Sequence, residues 1–315
     1  MKDISREVSD ISREVLECYQ VRKTGKQKAA FRARITEWAA QNGYSAAVEK
    51  GRGGSKNIVF GNPETAKVVF TAHYDTCAVL PLPNFITPKN IPVIILSQIL
   101  LACLLMAPCV LIYIVAGLLL DGFVAYLIFL ASLLGLIALM LAGPANRHTA
   151  NDNTSGVAAV LETMIKLDNA SRGTTAFVLF DLEEAGLIGS SSYYSAHKAA
   201  FADRLVVNLD CVSDGDNFMF AFRKGARASV ELFKRCYLAP EKSFSFCTGG
   251  VFYHSDQMNF PAGVGVAALK KSRIVGLYMD RIHTPRDTVF DQNNIEILSA
   301  GNCRLAEALC KQNIG

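Results

Sequence analysis

The sequence predicts a three-layer αβα domain of the α/β class, built on a mostly parallel sheet and interrupted by an inserted two-helix hairpin. Three observations predict it. Continuous apolar runs such as Lys67–Ala72, Thr175–Phe180, Leu205–Leu209 and Val264–Leu269 read as strands buried on both faces. Helical stretches alternate with them, the pattern of helices covering a sheet from both sides. One block, Ile91–Ala142, carries a single charge, Asp121.

The elements follow in order. Asp-Ile-Ser-Arg-Glu-Val occurs twice, one heptad apart, within residues 3–17, placing Ile4, Val8, Ile11 and Val15 on one face of a first helix. A second helix over Lys26–Gln41 ends at Asn42-Gly43. Strands over Asn57–Phe60 and Lys67–Ala72 flank a Gly61-Asn62-Pro63 turn. Phe218–Phe222 is a further strand. Ser155–Leu167, Ser190–His197, Ala226–Leu238 and Asn293–Lys311 read as helices.

The hydrophobic fraction is 51% and the charged fraction 19%, and the apolar excess sits in the Ile91–Ala142 block. Ile91–Leu120 and Gly122–Ala142 are each uncharged and each long enough for the roughly 20 residues that a membrane crossing needs. The segmentation is therefore 1–84 and 146–315 for the two parts of one catalytic domain, with 85–145 as a transmembrane hairpin that contacts the lipid bilayer through 91–142. The competing interpretation, a buried core hairpin, demands more interior than a domain of this size provides. Lys89 and Arg147 flank the near ends and the far turn has no Lys or Arg. This bias makes the chain an integral membrane protein with a cytoplasmic domain.

Net charge is only +4 without a long basic block, which argues against nucleic acid as a partner. Arg22, Lys23, Lys26, Lys28, Arg32 and Arg34 read as a solvated helix face, with lipid headgroups as the alternative contact. Nine cysteines without a C-x-x-C pair indicate neither a disulfide framework nor a thiolate zinc site. Residues Met1–Leu16 lack a signal-peptide apolar run.

Five motifs fall at strand ends or in loops: Thr71-Ala72-His73-Tyr74-Asp75, Asn151-Asp152-Asn153-Thr154-Ser155-Gly156, Phe180-Asp181-Leu182-Glu183-Glu184-Ala185-Gly186, Asn208-Leu209-Asp210 and His283-Thr284-Pro285-Arg286-Asp287-Thr288. Each alone has an ordinary structural role, as an N-cap or a solvated loop. Together they supply two histidines and several carboxylates where open α/β sheets bind ligands. Nitrogen and oxygen donors suit catalytic zinc. Asp75 is placed to accept the second ring N–H of His73.

In this order the motifs resemble those of the co-catalytic zinc aminopeptidases, the group that includes bacterial leucyl aminopeptidase, with glutamate carboxypeptidases and glutaminyl cyclases as relatives. The resemblance covers about residues 20–313 apart from the hairpin. It implies the phosphorylase/hydrolase-like zinc-exopeptidase fold, two Zn²⁺ (other divalent metals being possible) and a peptide substrate. It further implies that Asp152 bridges both ions, with His73 and Asp210 completing one site and Glu184 and His283 the other. Glu183 becomes the general base, Asp75 a catalytic supporting residue and Asp287 an outer support. The peptide after Asp152 is expected to be cis.

Two departures stand out. The family's Ser-Asp-His segment reads Ser255-Asp256-Gln257 here, leaving Tyr253, His254 and Asp256 as candidates for oxyanion or substrate contact. The loop between Asp75 and Asp152 is lengthened by the hairpin. The expected activity is aminopeptidase. The alternatives are a dipeptidase, carboxypeptidase or one-zinc glutaminyl cyclase on the same fold, or an inactive membrane scaffold, which the complete ligand set disfavours. Oligomeric state and side-chain preference have no signature in the sequence.

Overall fold

A computed structural model describes residues 9–311. The first copy of the N-terminal repeat therefore lies outside the described residues. The second copy forms α1 (Asp10–Cys18), capped by the Ser9 hydroxyl, with Ile11 and Val15 buried. Helix α2 (Gly25–Gln41) opens with a reciprocal Thr24/Gln27 capping box and buries Phe31, Ile35 and Trp38.

Nine strands form the sheet: β1 (Ala46–Lys50), β2 (Lys56–Phe60), β3 (Val68–His73), β4 (Thr175–Phe180), β5 (Leu205–Leu209), β6 (Asn217–Phe222), β7 (Ser243–Cys247), β8 (Gly263–Ser272) and β9 (Gly276–Tyr278). Their order is β1-β2-β4-β3-β5-β8-β6-β7, with β9 on β8. The central four, β4-β3-β5-β8, are parallel. The flanking β1-β2, β2-β4, β6-β8 and β8-β9 pairs are antiparallel, and β6-β7 is parallel. The sheet is thus parallel at its centre and mixed at its margins.

Alternation along the central strands feeds two cores. Val68 and Phe70 of β3 pack with Val157, Leu161 and Ile295 on one face, whereas Val69 packs with Tyr193, Phe201 and Phe260 on the other. The first face is covered by α1, α2, α5 (Gly156–Lys166), α8 (Val230–Cys236) and α9 (Gln292–Lys311). The second carries α7 (Ile188–Ala196), and the short α6 (Asn169–Arg172) leads into β4. Strands β1, β7 and β9 are additions to the sequence reading. They are short, polar or marginal, so they lack the apolar run that marks a buried strand. The expected Ala226–Leu238 helix is shorter, because Lys224–Ser229 forms a tighter helical turn before α8.

The inserted segment forms α3 (Ile91–Leu119) and α4 (Gly122–Ala142). Asn90 caps α3, Asp121 caps α4, and Pro108 lies within α3. The two helices touch through the buried small residues Cys109, Ala116 and Ala125, and Tyr113 meets Phe129 edge-on at 5.7 Å. Only 6% of the most apolar window of α4 is buried within the protein, so this is no core hairpin. The first two turns of α3 dock on the domain, where Ser97 Oγ donates to the Phe85 carbonyl at 2.8 Å and Gln98 reaches Asn84. The remainder, Ile99–Leu119, matches α4 in length.

One buried carboxylate ties α1 to the core. Glu162 on α5 accepts from Ser9 and Ser12, each at 2.6 Å, from Gln292 at 2.7 Å and from Lys166 at 2.9 Å. Burial alone raises its pKa, but these four donors outweigh it and hold it below the usual range. The resulting stability is fully present above the unfolded carboxyl pKa and is lost as pH falls through the folded value. Glu162→Ala is expected to destabilise the fold by about 2–3 kcal/mol, since it leaves several donors unpaired. Chemical denaturation at pH 7 and pH 4 checks this, with the wild-type advantage smaller at the lower pH.

Candidate active site

The carboxyl ends of β3, β4 and β5 meet where chain order reverses direction across the sheet, with β4 on one side of β3 and β5 on the other. His73 is the last residue of β3, Glu183 and Glu184 follow β4, and Asp210 follows β5. Asp152 lies in the turn before α5 and His283 in the loop after β9. The structure brings all six into one cluster.

Asp152 sits between the two histidines. Its Oδ1 is 3.3 Å from His73 Nε2 and its Oδ2 is 3.0 Å from His283 Nε2. His73 Nε2 also lies 3.5 Å from Asp210 Oδ1, and His283 Nε2 lies 3.3 Å from Glu184 Oε2. Donor atoms of His73, Asp152 and Glu184 fall within 4.8 Å of one another, as do those of His73, Glu183 and Asp210. The Asp152–Asn153 peptide is cis, as the resemblance implies.

Backbone supports fix these positions. Asp287 accepts from the N–H groups of Asn151 at 2.8 Å and Asp152 at 2.9 Å. Asp75 differs from its expected partnership: its carboxylate stands 3.6 Å from His73 Nδ1, too far for a hydrogen bond. Instead it accepts from the N–H of Glu183 at 3.0 Å and of Glu184 at 3.2 Å, orienting the glutamate pair. Leu182, Cys211 and His283 hold left-handed backbone with φ of 57°, 55° and 61°. Such strain in non-glycine residues concentrates at functional sites.

The charges are unbalanced within the protein. Among the described residues no Lys or Arg forms an ion pair with Asp152, Glu183, Glu184 or Asp210, and Glu184 Oε1 is buried without a hydrogen-bond partner. Burial opposes protonation of His73, but Glu183 and the nearby carboxylates of Asp152, Asp210 and Asp75 raise it well above the usual range. His283 is likewise pushed up to about 10, burial being outweighed by Glu184 and Asp152. Burial lifts Glu184 to about 8, with Asp152 adding and His283 opposing. Asp152 lies below its usual range because its two histidines overcome burial. A crowd of carboxylates sharing two imidazoles, with an orphaned ligand-type oxygen, fits divalent cations, and the N/O donor set fits zinc.

The other candidates divide. Tyr253 is buried and its hydroxyl donates to the Asp210 carbonyl at 2.9 Å, so the phenol is committed to holding that loop. His254 is exposed and stacks on Phe252. Asp256 is fully buried with neither oxygen hydrogen-bonded, and burial pushes it up to about 7.

Sequence reasoning missed two features. Cys77 places its sulfur within reach of Glu184 and His283, and the Cys211 thiol donates to Asp210 Oδ1 at 3.2 Å. Neither belongs to a cysteine pair, so spacing held no signal. Arg22 corrects the reading of a solvated basic face. It is fully buried, donating to the Tyr74 and Tyr19 carbonyls at 2.5 Å and to Thr154 at 3.3 Å. Burial lowers it to about 10, against the opposing pull of Asp75 and Asp152 behind the cluster. Arg32 is also buried, on the Tyr74 hydroxyl, and Lys28 pairs with Asp181 at 2.7 Å.

Comparison with known proteins gives a consistent result. The profile described as Peptidase family M28 matches residues 136–305, more than half of the chain. No curated protein matches the sequence. The fold is similar to the LapA aminopeptidase of Legionella pneumophila, at 15% identity and TM-score 0.56, covering 95% of this chain and 69% of that one. It is similar to Porphyromonas gingivalis glutaminyl cyclase, at 15% identity and TM-score 0.55, covering 96% and 98%. A Zn-dependent exopeptidase from Parabacteroides distasonis aligns at 15% identity and TM-score 0.51, covering 95% and 94%. At these identities the solved structures establish the shared fold.

Proposed function

The chain belongs to peptidase family M28 and is a zinc metallopeptidase, and on that premise we propose a membrane-anchored aminopeptidase that works with two zinc ions. The observation that carries the two-ion reading is Asp152, whose two oxygens face different histidines at 3.3 and 3.0 Å. A shared carboxylate is what two neighbouring cations need to offset their repulsion. In this reading His73, Asp152 and Asp210 would hold one ion, and Asp152, Glu184 and His283 would hold the other.

When bound, zinc supplies Lewis-acid charge that polarises a peptide carbonyl and acidifies water. The protein's own residues do the rest. Glu183 stands beside His73 and Asp210 and is the candidate general base. It takes a proton from the attacking water and delivers it to the departing amine as the C–N bond breaks. Asp75 fixes the direction of both glutamates through their backbone N–H groups. Asp287 fixes Asp152 in the same way.

The hairpin is the proposed anchor. Helices α3 and α4 are both long and apolar enough to cross a bilayer. At about 1.5 Å per residue, the 21 residues of α4 span about 32 Å. Lys89 and Arg147 at the domain side favour a cytoplasmic domain.

Metal removal tests the function. Chelation is expected to abolish cleavage of free-amine aminoacyl substrates, and zinc is expected to restore it at two ions per chain by elemental analysis. Cleavage of N-blocked substrates at equal rates sinks the aminopeptidase reading. Full activity with one ion sinks the bridge.

A further inference from the structure

We propose that the last turn of α4, at the domain end of the hairpin, forms one wall of the substrate pocket, so that the enzyme selects peptides with an apolar N-terminal residue. This rests on the aminopeptidase reading and deepens it. A cavity of about 930 Å³ reaches from Glu184 and His283 to Leu139 and Leu141, with Leu80 and Leu182 along its sides. Drug-sized and peptide-sized ligands occupy clefts of this order. The inserted hairpin is therefore more than an appendage, because its terminal side chains share a cavity with the metal cluster.

The placement is held by the same loop that carries Asp75. Val79 N–H donates to the Pro144 carbonyl at 2.9 Å, and Asn146 N–H donates to Cys77 at 3.1 Å. Ala78 pairs with Ala145 as an antiparallel bridge. Two residues after Ala78, Leu80 N–H donates to the His283 carbonyl at 2.7 Å. On the opposite flank, Lys23 Nζ caps the Leu141 carbonyl at 2.9 Å. The end of α4 is thus tied to the loop that carries Asp75 and to Lys23.

The chemistry of the wall selects the occupant. Leu139 and Leu141 are 61% and 56% exposed, and at a cavity wall such side chains gain by covering themselves with an apolar group. On the cationic rim, Lys28 is paired with Asp181 and Lys23 is held on the neutral Leu141 carbonyl. Since α4 is just long enough to cross the hydrocarbon layer, its last turn lies at headgroup depth.

The test uses the full-length zinc-loaded protein in detergent, with leucyl and seryl amides of one reporter amine. The wild type is expected to favour leucyl by about 10–100-fold in kcat/KM, the discrimination an apolar pocket supplies. Leu139→Asn and Leu141→Asn are expected to cut that ratio about tenfold, mainly through a higher KM for the leucyl substrate. Leu119→Asn, at the far end of the hairpin, is expected to keep the wild-type ratio. Leu139→Ala and Leu141→Ala retain helix and apolarity and guard against misfolding. They are expected to raise the preference for phenylalanyl over leucyl substrate about threefold, because the wall recedes. A leucyl/seryl ratio within twofold of wild type in both Asn variants, or no shift toward phenylalanyl in the Ala variants, overturns the pocket wall alone. Failure of the wild type to cleave any free-amine substrate overturns the aminopeptidase reading and this inference with it.

Discussion

Glu183→Gln is expected to retain its metal and to lose turnover by about 10²–10⁴-fold, the usual contribution of a general base. The substitution is close to isosteric. It leaves the backbone N–H of residue 183 on Asp75 Oδ1, where it lies at 3.0 Å, and it leaves His73, Asp152, Glu184, Asp210 and His283 unchanged. What it removes is the carboxylate that stands with His73 and Asp210 at the candidate metal position. The loss should therefore fall on kcat, with KM moving by less than threefold. Zinc content by elemental analysis is expected to equal that of the wild type. Activity within a few-fold of wild type assigns the proton transfer to another carboxylate. Asp256 is then the next candidate, since it is buried, lacks hydrogen-bond partners and is pushed up to about 7 by burial.

The parts of the molecule legible in sequence are those where one physical demand dominates. Strands β3, β4, β5 and β8 are buried on both faces, so each reads as an unbroken apolar run. The hairpin is legible because two long apolar stretches with hardly any burial in the domain stand out from the rest of the chain, and only Asp121 interrupts them. The glutamate pair and both histidines are legible because they follow such strands or stand in unusual loop motifs. Strands β1, β7 and β9 escape notice because marginal strands need neither continuous apolarity nor length. The partners of Asp75 also escape, since a sequence places Asp75 two positions from His73 but does not reveal that the loop after β4 offers two better donors. Arg22 is the sharpest case. Its neighbours in sequence are basic and exposed or half-buried, yet its own guanidinium fills a pocket of carbonyls beneath Tyr74. Only tertiary packing separates it from the run of cations beside it.

Asp152→Asn is expected to be the more damaging change, because it acts on both candidate ions at once. In the present geometry the carboxylate offers one oxygen to the His73 side and the other to the His283 side. An amide presents one acceptor oxygen and one NH₂ donor, so one of the two sides meets a donor instead. It also removes a full negative charge between two cations, where repulsion is otherwise unscreened. Loss of an outer support typically weakens metal affinity about 10–100-fold, and loss of the shared ligand should exceed that. The expected result is at most one zinc per chain after dialysis and no measurable turnover. Asp287, freed of the Asp152 charge that helps burial raise its pKa to about 7, is expected to ionise more readily in the variant. Its acceptor bonds from the N–H groups of residues 151 and 152 depend on the backbone and survive the substitution. Thermal unfolding of the metal-free variant is expected below that of metal-free wild type, because the two histidines lose the carboxylate they share, so zinc content is read on protein shown to be folded at the assay temperature. Two tightly held zinc ions in Asp152→Asn, with turnover preserved, refute the shared carboxylate and leave the cluster with independent metal sites.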